Sequence, residues 1–185
     1  MAEYYLISQL PSLDGVGENT PLPITEERFT ELCERFLGKK TLAAMQNLTL
    51  VPPKNYEGMS SGLIDVWNDN ERDLRLALGK VRAEKLKKTF DTQGRLLPIG
   101  CVKAASTATE IENPMDAEKY LNSYRLDFLE SLRPTDTFSD DYILYYGLKL
   151  KLILRIRKFD TEAGEKAYRN IYDSILRGDG LEAIQ

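Results

Sequence analysis

From Gly62 to Lys88 the chain reads GLIDVWNDNERDLRLALGKVRAEKLKK, and Trp67, Leu74, Leu78 and Val81 recur at a spacing that puts them close to one face of a helix. Leu63 lies one turn ahead of that stripe and Leu86 behind it. Asp65, Asp69, Glu71 and Asp73 open the segment, and Lys80, Arg82, Lys85, Lys87 and Lys88 close it, the order that a helix macrodipole favours. The pattern predicts a long amphipathic helix that starts at Ser60 or Ser61 and has something to pack against. Glu71 and Arg75 stand four residues apart, the spacing of a salt bridge on its surface.

The same periodicity places further helices. Thr25 is a natural N-cap, followed by Glu26 and Glu27 at the positive end of the dipole, and Ile24 and Phe29 hold the two positions of a hydrophobic staple. Phe29, Leu32, Cys33, Phe36 and Leu37 make the buried stripe, and Gly38 stops it. A short helix from Lys39 to about Asn47 turns back on the first, and Pro52 through Gly58 breaks the chain again. Asn113-Pro114-Met115-Asp116 supplies an N-cap, a proline at N1 and an acid at N3 placed to close a capping box. Leu121, Tyr124, Phe128 and Leu132 carry that helix to Arg133-Pro134.

Ser139 or Asp140 starts a helix from Ile143 to Ile156 that is apolar on most sides, which marks it as central. Asp160 caps a last helix with Ala167, Tyr168, Ile171, Tyr172, Ile175 and Leu176 on one stripe, closed by Gly178. Two stretches resist this reading. Tyr4 to Leu10 fits either a strand or one or two turns of helix before Pro11, and between Phe90 and Asn113 the periodicity fails altogether. The latter contains Gly94, Pro98, Gly100 and the small-residue run Ala104 to Thr109, and it reads as a hinge, a loop or a short hidden helix. The expected architecture is all-α, a mostly antiparallel bundle of about six helices. Residues 1–185 form one helical domain, or two halves meeting at 90–113.

Composition narrows the chemistry. The chain of 185 residues, 42% hydrophobic, is long enough to bury a core without staples. A net charge of -4 supplies no global positive field to draw in nucleic acid. Only two cysteines are present, Cys33 and Cys101, and Cys33 falls on an apolar stripe, so buried reduced thiols are expected in a cytoplasmic setting. The opening MAEYYLISQLP lacks the pattern of a secretory signal, and Lys149, Lys151 and Arg155 interrupt the most apolar segment, so no membrane insertion is expected.

Histidine is absent, which removes the commonest general base and metal ligand together. Phe36-Leu37-Gly38-Lys39-Lys40-Thr41 has the end of a phosphate loop without its upstream glycine or its preceding strand. Paired acids at Asp140-Asp141 and at Asp69-Glu71-Asp73 are ordinary helix-start residues. No catalytic, cofactor-binding or metal-binding residue is assigned. Of ten tyrosines, Tyr120, Tyr124, Tyr142, Tyr145, Tyr146, Tyr168 and Tyr172 crowd the last three helices. Some fill the core, and the surplus suits a protein-binding surface. Tyr145, Tyr146, Arg75 and Arg82 are the candidate partner contacts.

Three segments carry a resemblance: Tyr4-Tyr5-Leu6-Ile7-Ser8-Gln9-Leu10-Pro11-Ser12-Leu13, the Trp67 helix through Arg82-Ala83, and Asn113-Pro114-Met115-Asp116-Ala117-Glu118 leading into Tyr124-Arg125-Leu126-Asp127-Phe128-Leu129. In that order they resemble a bacterial family of unknown function, typically encoded beside subunits of V-type (A/V-type) ATPases in bacteria such as Bacteroidetes. The chain is more distantly similar to the stalk protein that is termed C in archaeal and bacterial V/A-type ATP synthases and d in eukaryotic V-ATPases. That stalk protein is all-helical and funnel-shaped, built of three related units, and joins the rotating central stalk to the membrane ring; this chain is far shorter. The resemblance implies a non-catalytic accessory or central-stalk subunit, cytoplasmic and held at the inner membrane through the ATPase, whose stalk or ring subunits are its partners. A helical adaptor for an unrelated partner is the alternative, and a small enzyme working through carboxylates is the third reading.

Overall fold

A computed structural model describes residues 2–17, 20–53, 61–158 and 161–176. Among these the chain forms eight helices and no strand: α1 (Ala2–Gln9), α2 (Glu26–Phe36), α3 (Lys39–Gln46), α4 (Gly62–Lys85), α5 (Ile99–Glu110), α6 (Pro114–Ser131), α7 (Asp140–Arg157) and α8 (Thr161–Leu176). The all-α expectation holds, while the expected count of about six falls short by α1 and α5. The helix limits placed at Ser60, Asp160 and Gly178, and the break over 54–58, lie outside the described residues.

Both additional helices lack a sequence signature for a physical reason. α1 is too short for its periodicity to be read, and among its described side chains it is anchored by buried Leu6 with half-buried Ile7 beside it. α5 packs through Cys101, Ala104, Ala105 and Ala108, small residues that give no apolar stripe but let its backbone come close to Leu74, Ala77 and Leu78 of α4. A short hidden helix therefore occupies half of residues 90–113, from Ile99 to Glu110.

The helices are not uniformly antiparallel. α4 and α6 run antiparallel, since Asn70 meets Tyr124 and Trp67 meets Phe128. α6 and α7 do likewise, Glu118 bonding Arg155 and Glu130 bonding Tyr145. α4 and α5 run parallel: the Cys101 thiol lies 3.4 Å from Asn70 Oδ1, and Lys85 donates to the Thr109 carbonyl. Residues 86–98 make this geometry by returning along α4, with Phe90 against Gly79 and Arg95 against Asp69 and Asp73. α3 and α7 are also parallel, with Thr41 bonding Asp140 at one end and Leu48 against Gly147 further along.

The caps predicted at Thr25, Asn113 and Ser139 form. The Arg28 amide donates to Thr25 Oγ1 at 3.2 Å, and Ile24 and Phe29 are both buried as the staple requires. The Met115 amide donates to Asn113 Oδ1, while the Asn113 side-chain amide donates to Asp116 at 2.9 Å, so the acid at N3 locks the cap through its side chain. Ser139 caps α7 through the Tyr142 amide. α7 is the central helix, with Ile143 through Leu150, Leu152 and Ile153 all buried. Gly147 lies at its midpoint because a Cβ there would come within 2.9 Å of Leu48 and 3.0 Å of the Met45 sulfur.

Candidate functional site

Tyr142, Tyr145, Tyr146 and Lys149 follow one another on α7 at helical spacing and so share one face. Opposite them lies the strap of residues 10–17, which leaves α1 at Pro11 and turns at Gly15, whose φ of +73° suits glycine. Between strap and helix is a cleft of about 230 Å³. A second hollow of about 460 Å³ flanks it, and Leu13, Asp14 and Lys149 border both.

Lys149 is the centre of this face. Its ammonium donates to Asp14 Oδ1 at 2.5 Å and to Glu130 Oε1 at 2.6 Å, although the side chain is buried. The Tyr145 hydroxyl donates to the other Glu130 oxygen at 2.8 Å, and the Tyr146 hydroxyl donates to the Pro11 carbonyl at 2.8 Å. Arg133 stands 3.6 Å from Asp14 on the solvent side. Burial works to lower the Lys149 pKa, but the hydrogen bonds to Asp14 and Glu130 overcome it and leave it raised. The hydrogen bond from Lys149 in turn holds the Asp14 carboxyl below its ordinary value. Burial, with the bond to Glu130, pushes Tyr145 up to about 12. A lysine held charged between two carboxylates is no nucleophile, and two neutral phenols are no bases. The cluster fastens the N-terminal strap to α6 and α7.

The four candidate contact residues do not converge. Tyr145 and Tyr146 are 2% and 4% exposed, with their rings in the core and their hydroxyls already bonded. Arg75 and Arg82 lie on the exposed side of α4. Arg75 donates from Nε to Glu71 Oε1 at 3.0 Å, as its spacing predicts, yet Glu71 itself is buried, not a surface residue. Arg82 is exposed on the last turn of α4.

A second polar cluster went unread in the sequence. Arg125 on α6 grips Glu71 with two nitrogens, and its third, Nη1, reaches Asn122 at 3.1 Å and Glu118 at 3.3 Å. Glu118 also accepts from Arg155 on α7. The chain Arg75, Glu71, Arg125, Glu118, Arg155 thus joins three helices through alternating charges. Its signal in the sequence is a pair of polar interruptions inside apolar stripes, Asn70-Glu71 between Trp67 and Leu74, and Asn122 with Arg125 between Leu121 and Leu129. Beside it, Tyr124 and Cys101 share Asn70 Oδ1, and burial raises the pKa of both hydroxyl and thiol. Cys33 and Cys101 are both buried and unbridged, as expected. Among the described residues no group of acids and cysteines is arranged to hold a metal ion, and no helix is long and apolar enough to cross a membrane.

Fold and clusters together define an all-helical protein whose buried charges join helix to helix. The model of a protein family of unknown function (DUF2764) matches residues 102–179, from the first turn of α5 through α6 and α7 and past the end of α8. No curated protein and no solved structure matches the chain.

Proposed function

We propose that this protein is a non-catalytic accessory or central-stalk subunit of a bacterial V-type ATPase, coupling the rotor to the membrane ring while ATP chemistry proceeds in other subunits. The observation that carries the reading is the five-member ionic chain across α4, α6 and α7. Sliding α4 past α6 would strand the buried charges of Glu71 and Arg125, at a cost of about 3–5 kcal/mol, and the part-buried pair of Glu118 and Arg155 ties α7 to them. A torque-transmitting joint needs that stiffness. The ordered resemblance of three segments to proteins encoded beside such ATPases supplies the identity of the complex, and the helical fold is compatible with a part of the funnel-shaped stalk protein. Arg82, exposed at the end of α4, is a candidate contact in such a complex.

The same stiffness would serve a cytoplasmic helical adaptor for another partner, and the exposed apolar stripe of α8 favours that reading equally. Isolation of the tagged full-length chain from its native host under gentle conditions, followed by mass spectrometry, separates the two. Stoichiometric recovery of stalk, head or ring subunits is the expected result. Recovery of a different partner set, with the ATPase purifying intact without this chain, overturns it.

A further inference from the structure

α8 differs from every other described helix: none of its described side chains is buried, and neither hydrophobic cluster includes one of those described residues. Tyr168, Ile171 and Tyr172 are 68%, 60% and 52% exposed. The two tyrosine rings stack with centroids 6.1 Å apart and planes at 17°, which holds the stripe in one shape before any partner arrives. A 16-residue helix with none of its described side chains buried is marginal in water. Amphipathic and uncovered, α8 needs a surface to lie on.

We infer that α8 is a docking helix that seats Tyr168, Ile171 and Tyr172 in an apolar groove between helices of a different protein. Four observations select this occupant. The anchors stand at i, i+3 and i+4, and Ile175 continues the series in the sequence at i+7, the spacing by which a helix is read by a groove. The three exposed side chains offer roughly 300 Å², so a symmetric pair of α8 helices meeting on this stripe alone would bury only about 600 Å², half of the ~1,200 Å² that a stable interface needs, whereas a groove also covers the flanks of the helix. α8 carries no excess of bases, with Glu162, Glu165 and Asp173 against Lys166 and Arg169, and Glu165 and Arg169 paired at 3.7 Å. Helices that lie on anionic membranes carry an excess of bases instead. On the other flank Ala167 and Ser174 are small and uncharged, which lets one wall of the groove come close.

This inference rests on the reading of the protein as a subunit of a larger assembly, and the experiment keeps the two apart. The full chain is expressed in its native host with photoreactive benzoylphenylalanine at position 172 or, for comparison, at the still more exposed position 96, each with and without Ile171→Asp. The expected result is an adduct from position 172 with one other protein, reduced tenfold or more by Ile171→Asp, and no such adduct from position 96. The purified variant should keep the melting temperature of the parent, because the stripe is uncovered in this chain, and both should be monomers by light scattering. An adduct with a component of the ATPase supports both readings; an adduct with another protein keeps the docking helix and removes the ATPase. An adduct between two copies of this chain, one indifferent to Ile171→Asp, none at all from position 172, or a lowered melting temperature of the variant each overturns the inference.

Discussion

Arg125 of α6 meets Glu71 of α4 side by side, Nε to Oε2 at 3.0 Å and Nη2 to Oε1 at 3.2 Å, with 6% and 1% of the two side chains exposed. Such a bidentate pair fixes orientation as well as distance, so α4 and α6 have one register relative to each other. Buried pairs of this kind add little net stability over a hydrophobic pair, but breaking one leaves a stranded charge.

Arg125→Met is therefore expected to destabilise the protein by about 3–5 kcal/mol, because Glu71 keeps only Arg75 on its exposed side. Adding Glu71→Leu to that variant should restore most of the loss. Urea unfolding of the parent, the two single variants and the double variant gives the four energies of the cycle.

Gly147→Ala adds a methyl group at the closest approach of α7 to α3, where Leu48 and Met45 would lie at 2.9 Å and 3.0 Å. The overpacking should cost about 1–3 kcal/mol. Thermal unfolding followed by circular dichroism measures it.

Asp14 gives a pH signature. Its folded pKa is below the ordinary 3.8, because Lys149 bonds the charged form. The stabilisation is then fully present above pH 3.8 or so and is lost as the pH falls through the folded value. The carboxylate is largely exposed, and screening keeps the effect small. Asp14→Asn should lower stability at pH 7 and flatten its fall below pH 4, which urea unfolding at both pH values tests.

Cys33 and Cys101 are predicted to resist thiol reagents in the native state. Both are buried, and burial raises the pKa of each, that of Cys33 to about 12, so little thiolate exists at neutral pH. Labelling with a chromogenic disulfide should proceed only at the rate of unfolding; rapid native labelling of either would contradict the packing.

What could be read in the sequence was local. Thr25, Asn113 and Ser139 announced their helices because caps and staples are written within a few residues, and the apolar run of α7 announced its central place because a helix with no polar face has nowhere else to go. α5 was hidden because it packs through alanine, whose contribution is close approach and leaves no stripe. Helix direction was hidden as well: the parallel course of α4 and α5 depends on residues 86–98 returning along α4, and no spacing rule contains that. The tyrosines show the same limit. Composition identified Tyr145, Tyr146, Tyr168 and Tyr172 as one group, but burial separates them, the first two bonded in the core and the last two uncovered on α8. The Glu71 to Arg125 bond spans 54 residues, and only the polar gaps in two stripes hinted at it.

Mechanical coupling is tested most directly in membrane vesicles from the native host with the gene for this protein deleted. ATP hydrolysis and ATP-driven ion uptake are measured on the same preparation, with the gene restored as control. If this protein couples rotor to ring, hydrolysis persists while ion uptake per ATP hydrolysed falls severalfold. Hydrolysis and uptake both equal to those of the parent strain would contradict that role.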